Sequence, residues 1–166
     1  NGQDQNLSPY AFSKSNNMNL IINLNEWFGL KYEIIYFYNV YGPKQIRFGE
    51  MATVIGIFEQ KYINKKPLTI VKPGTQTRRF THIYDTINVC YEAWKKNKCA
   101  HYSISNKRQY SIYQVAKMFG TKIVYLKERV GERYASALTH MNLDNKIIRR
   151  YGKIHLKDYI TSFIKG

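Results

Sequence analysis

Apolar residues recur at helical spacing toward the end of the stretch 9–28, where Leu20, Ile21, Leu24, Trp27 and Phe28 fall mostly three or four apart. Ser8-Pro9 supplies a start signal, since Ser caps well and Pro suits the first turn. Gly29 supplies a stop. The period then changes. Residues 31–38 (KYEIIYFY) run on in β-branched and aromatic residues, the pattern of a buried parallel strand. A loop over 39–48 carries Gly42-Pro43. After it the pattern predicts a helix over 49–63 and a short strand over 67–71, ended by Lys72-Pro73-Gly74. Residues 79–83 read as extended, and residues 84–97 as a helix with Ile87, Tyr91 and Trp94 along one side. His101 to Ile104 reads as a strand. Ser111 caps a short helix that ends near Phe119-Gly120, and residues 121–126 alternate as a strand. Two further helices are expected over 142–150 and 155–164. The order of elements is α/β, without internal repeats or low-complexity segments.

At 166 residues the chain can build a real core. Its two cysteines, Cys90 and Cys99, have no metal or redox spacing and read as free thiols in a reducing, cytoplasmic compartment. No apolar run reaches the length of a membrane span, and no signal peptide is visible. The four His (82, 101, 140 and 155) are isolated, so no metal site is expected. Ser13 and Ser105 lack the context of a serine nucleophile. The formal charge of +15 raises nucleic-acid binding as a function. The basic residues are scattered, however, in short pairs such as Lys65-Lys66, Lys95-Lys96 and Arg149-Arg150, as on a solvated surface. A positive field that draws in a nucleotide diphosphate accounts for the charge as well.

The candidate chemistry starts at Tyr10-Ala11-Phe12-Ser13-Lys14. Positions four apart share a helix face, so the phenol and the ammonium can meet one reaction centre. An ammonium beside a phenol favours the phenolate, and such a pair can move a proton on and off a sugar or alcohol hydroxyl. With 15 Tyr in the chain, a Tyr and a Lys also fall four apart by chance. The rest of the chain decides between chemistry and chance. Downstream come Tyr38-Asn39-Val40-Tyr41-Gly42-Pro43, Gly74-Thr75-Gln76-Thr77-Arg78-Arg79-Phe80, Tyr84-Asp85 and Arg129-Val130-Gly131-Glu132.

In this order and at these separations the chain resembles the extended short-chain dehydrogenase/reductases, the NAD-dependent nucleotide-sugar epimerases and dehydratases. Typical members read S-P-Y-x-x-S-K, F-N-V-Y-G-P, G-x-x-x-R-D-F, V-D-D and R-P-G-E. The resemblance spans nearly the whole chain. It implies the C-terminal part of a Rossmann-type NAD(P)-binding fold plus a small α/β substrate-binding domain. Residues 1–48 would end the Rossmann domain, with the Tyr-Lys helix and one strand, and residues 49–166 would form the substrate domain. The resemblance assigns Tyr10 as the acid/base and Lys14 as the residue that holds the nicotinamide ribose. Tyr38 falls where the backbone meets the nicotinamide. Asn39, Arg78 and Arg129 fall where the family meets the substrate diphosphate, and guanidinium forks suit phosphate oxygens. The alternative for Asn39 is a cap at a strand end, and the Tyr41-Gly42-Pro43 that follows favours the functional reading. Asp85 reads as a charge at a helix N-terminus rather than a ligand.

The family's Gly-rich pyrophosphate turn is not found here, nor is its Ser or Thr upstream of the Tyr. The first residue is not Met. The chain is therefore expected to be the C-terminal half of an NAD-dependent nucleotide-sugar epimerase, inactive alone and dimeric in the parent. A 4,6-dehydratase or decarboxylase, and a non-catalytic nucleotide-sugar-binding module, stand as alternatives. NAD is expected ahead of NADP. Several residues depart from the family's pattern: Arg79 for Asp, Tyr84 for the first Asp of V-D-D, Val130 for Pro, and Val71-Lys72 for an aromatic-Gly pair at the base. Asn17 and Asn19 stand where small and acidic residues are usual. The strand over 31–38 would be a lone strand with open edges. The helix over 9–28 would show an apolar face, so self-association is expected.

Overall fold

The computed structural model describes residues 9–127 and 150–166. The first helix, α1 (Pro9–Phe28), ends where Gly29, at φ +69°, donates its N–H to the Asn25 carbonyl at 2.8 Å. This is the left-handed cap expected of Gly after a helix. Strand β1 (Ile34–Phe37) is shorter than the apolar run that predicts it, because Glu33 is engaged before it. The Glu33 carboxylate accepts the backbone N–H groups of Lys98, Cys99 and Ala100, and so ties the start of β1 to a turn from far along the chain. That turn leads into β6 (His101–Ile104), which pairs in parallel with β1, Ile34 opposite His101 and Phe37 opposite Ile104. The expectation of a lone strand is therefore corrected. The strand is also half-buried rather than buried, with Phe37 exposed.

Strand β2 (Val40–Tyr41) pairs in parallel with β5 (Thr81–His82). The helix expected over 49–63 begins later, as α2 (Val54–Ile63), because Thr53 caps it by accepting the Gly56 N–H. Strand β3 (Leu68–Val71) pairs in parallel with β8 (Ile123–Leu126), and β4 (Thr77–Arg79) pairs antiparallel with β7 (Gln109–Ser111). The extended run near 79–83 is thus two strands, split at the buried Phe80. Helix α3 (Ile83–Lys96) starts from His82, whose Nδ1 accepts the Tyr84 N–H. Helix α4 (Ile112–Met118) starts from the expected Ser111, in a reciprocal capping box with Gln114. Helix α5 (Leu156–Lys165) closes the chain. The helix expected over 142–150 falls almost entirely outside the described residues.

Among the described residues, apolar packing gathers in two clusters. The larger joins Tyr41, Ile55, Phe58, Leu68, Ile70, Phe80, Val115, Phe119 and Ile160, and so binds α2, α4 and α5 to β2 and β3. The smaller joins Val89 and Ala93 of α3 to Tyr102 and Ile104 of β6, with Ile35 of β1 against it. Helix α1 contributes no buried residue to either.

Candidate functional site

Tyr10 and Lys14 lie on one face of α1, with the Lys14 Nζ 5.6 Å from the centre of the Tyr10 ring. Both are exposed. Further along the helix, Met18 accepts the Tyr36 hydroxyl at 3.2 Å, which sets α1 against β1. Tyr10 lies eight residues before Met18, about 12 Å at the helical rise. The short turn after Gly29 reverses the chain, so the start of α1 is directed toward the carboxyl end of β1. Tyr38 and Asn39 follow β1 at that end.

Asn39 carries its backbone and its side chain into different work. Its carbonyl accepts the Thr81 N–H at 3.3 Å, and its Nδ2 donates to the Arg79 carbonyl at 2.8 Å. The amide thus has the structural role that an Asn at a strand end suggests. A primary amide has a second N–H and an oxygen as well, so a ligand contact is compatible with this bond. Arg78, in β4, donates from one terminal nitrogen to the Thr77 carbonyl at 2.9 Å. Guanidinium has five donors, which allows it this bond and an oxyanion together.

Asn39 and Arg78 come together in the lining of one cavity of about 400 Å³. Thr53 and Val54 at the start of α2, Val71 and Leu126 at the carboxyl ends of β3 and β8, and the buried Gln76 complete its polar rim and apolar floor. Ligands of α/β folds bind off the carboxyl ends of parallel strands, where loops and helix starts converge. The cavity has that position relative to β3 and β8. Tyr10, Lys14 and Tyr38 do not line it. Arg129 lies outside the described residues. Asp85 is buried in the first turn of α3, and its Oδ2 accepts the Ile154 N–H at 3.2 Å, which bears out its structural reading.

Glu59 was not singled out by sequence reasoning. It is fully buried in α2, with Arg47 Nε at 2.8 Å, Gln45 Nε2 at 2.7 Å and the Tyr159 hydroxyl at 2.7 Å. Gln45 also accepts the hydroxyl of Thr53 at 3.2 Å, so the network reaches the cavity rim. Burial, then the bond to Glu59, pushes the Tyr159 phenol up from its ordinary range and keeps it a donor. Burial, then the Asp85 charge, does the same for Tyr41, whose hydroxyl donates to the Ile154 carbonyl. Burial holds His82 below the ordinary imidazole range, against the opposing pull of Asp85. Glu59 follows the apolar run Val54-Ile55-Gly56-Ile57-Phe58 and opens the polar stretch Glu59-Gln60-Lys61, so the sequence carried no local signal of its burial. Among the described residues, no group of His, Cys, Asp or Glu could hold a metal ion, and no helix is long and apolar enough to cross a membrane.

A family model described as GDP-mannose 4,6 dehydratase matches residues 2–159. A putative UDP-glucose 4-epimerase of Methanocaldococcus jannaschii is 32% identical over 134 residues, 77% of this chain and 43% of that protein. The crystal structure of UDP-glucuronic acid 4-epimerase from Bacillus cereus, in complex with UDP-glucuronic acid and NAD, superposes with a TM-score of 0.76 at 26% identity, over 96% of this chain and 53% of that one. A dTDP-glucose 4,6-dehydratase from Bacillus anthracis, in complex with NAD, shares the fold at a TM-score of 0.77 and 18% identity, over 95% of this chain and 51% of that one. The chain spans about half the length of these solved chains and less than half that of the Methanocaldococcus relative.

Proposed function

The chain belongs to the family described as GDP-mannose 4,6 dehydratase, and from that membership we propose that its residues form the Tyr-Lys helix and the substrate-binding part of an NAD-dependent nucleotide-sugar epimerase. The observation that carries this reading is the shared cavity of Asn39 and Arg78, two residues far apart in the chain that face one space. Arg78 holds the diphosphate of the nucleotide sugar through paired N–H donors, and Asn39 positions it through its remaining amide groups. Arg129 is assigned as a second clamp on the same diphosphate. The scattered positive charge raises the local concentration of such an anion.

Tyr10 and Lys14 fit a nicotinamide ribose, because a phenol and an ammonium share one exposed helix face. Lys14 donates to the ribose hydroxyls, and the Tyr38 backbone meets the nicotinamide. When bound, NAD supplies hydride acceptance and return. Tyr10 takes the proton of the sugar hydroxyl and gives it back, with the Lys14 ammonium beside it on the same helix face. The division of the chain near residue 48, a homodimeric assembly and a cytoplasmic setting belong to the same proposal.

The test uses the full-length protein with UDP-glucose and UDP-glucuronic acid as substrates. Tyr10→Phe is expected to lower kcat by about 10²- to 10⁴-fold with little change in KM. Arg78→Ala is expected to raise KM instead. Full turnover by the Tyr10→Phe protein overturns the assignment of the proton carrier. Nucleotide-sugar binding without turnover in the parent protein replaces the epimerase with a non-catalytic binding module. Product analysis separates epimerisation from dehydration and decarboxylation.

A further inference from the structure

The parallel pair β3–β8 has two ends, and each holds a cavity. The one at the carboxyl end contains Asn39 and Arg78. At the amino end, where Pro67 leads into β3 and Lys122 leads into β8, a second cavity of about 660 Å³ opens. Its walls are apolar: Ile63 and Tyr62 at the end of α2, Pro67, and Phe163 of α5. The Tyr62 and Phe163 rings lie 6.0 Å apart, tilted by 58°. Its rim is cationic, from Lys65, Lys66 and Lys122, all exposed. No acidic side chain is among the described residues that line it. Beside it, Lys61 is held below the ordinary lysine range by burial and then by the Lys66 charge. Thr121, between α4 and β8, also lines the cavity.

We propose that this cavity is a second ligand site, for a small molecule that joins a flat apolar ring to an anionic group, of the nucleoside monophosphate class. The ring seats against Tyr62 and Phe163, where aromatic faces and edges pack well. The phosphate lies among the three ammonium groups. The volume falls in the range of small-molecule sites and is far too large for a bare anion. The apolar walls leave a bare phosphate without most of its contacts. The site is at the opposite end of β3–β8 from the proposed substrate cavity, and it does not depend on the activity proposed there.

The experiment is calorimetric titration of the full-length protein with AMP, with and without excess UDP. AMP is expected to bind in both conditions. Inorganic phosphate and adenosine are each expected to bind at least about tenfold more weakly. The variant Lys65→Asn/Lys66→Gln/Lys122→Gln is expected to lose about tenfold or more in AMP affinity and to keep its affinity for UDP. Asn is chosen at 65 because Lys65 has φ 53°, which Asn tolerates. Displacement of AMP by UDP, phosphate binding as tight as AMP, or full AMP affinity in the triple-lysine variant overturns the proposal.

Discussion

Gly56 stands within α2, where glycine is worse for a helix than every residue but proline. By propensity alone, Gly56→Ala would stabilise the protein by roughly 1 kcal/mol. Its surroundings reverse the sign. A Cβ at this position would collide with the carbonyl oxygen of Ile46 and approach the Arg47 Cα to 3.3 Å. Both are backbone atoms, which cannot swing aside as a side-chain end can. The segment between β2 and α2 rides directly on the helix at this point, and it brings Arg47 and Gln45 to Glu59. Gly56→Ala is therefore expected to destabilise the fold by about 1–3 kcal/mol, as overpacking does. Urea denaturation measures it. A raised midpoint would mean that the segment yields and that propensity decides.

At the scale of elements, Glu59 is where α2, the segment before it and α5 are tied together. Its carboxylate has no exposure to water and accepts from Arg47, Gln45 and Tyr159. Removing it leaves the Tyr159 hydroxyl without its acceptor, while Gln45 Nε2 keeps the Tyr159 oxygen at 3.4 Å. Arg47, about a third exposed, can regain water. The cost for Glu59→Ala should therefore fall near the low end for a broken buried pair, about 2–3 kcal/mol. Glu59→Gln keeps an acceptor for the Tyr159 hydroxyl and should cost less. Denaturant midpoints of the two variants check the order, and a Glu59→Ala protein as stable as its parent would show that the network carries no net stability. This network also shows what the sequence could reveal. Tyr10, Lys14, Asn39 and Arg78 could be singled out as candidates because each sits in a short run of fixed spacing. Glu59 meets partners 12, 14 and 100 residues away, and no local run encodes them. The pairing of β1 with β6 was hidden for the same reason. Each strand was recognisable from its own residues, but their partnership crosses 67 positions and depends on Glu33 gathering the turn at 98–100. Caps such as Ser111 and Gly29 were legible because a cap is a local bond.

The molecule as a whole sets charge against apolar surface. Helix α1 has no buried residue and exposes Phe12 (53%), Leu20 (51%), Trp27 (62%) and Phe28 (78%). Strand β1 is paired on one side only among the described residues, and open edges recruit further strands. Both features favour association of these 166 residues with their own copies. Opposing this, the net charge of +15 repels like copies over a Debye length of about 8 Å at physiological ionic strength. That length shrinks to about 3 Å in 1 M salt, and apolar burial does not weaken with it. The balance should therefore tip with salt. The 166-residue chain is expected to sediment as smaller species in low salt and as larger ones in about 1 M sodium chloride, opposite to the behaviour of an assembly held by ion pairs. Sedimentation velocity across a salt series reads this directly. Replacing Trp27 and Phe28 by Ser, at the most exposed end of α1, should suppress the high-salt species if that face carries the contact. A monodisperse monomer throughout the series would show that the apolar face and the open edge are too small to overcome the charge.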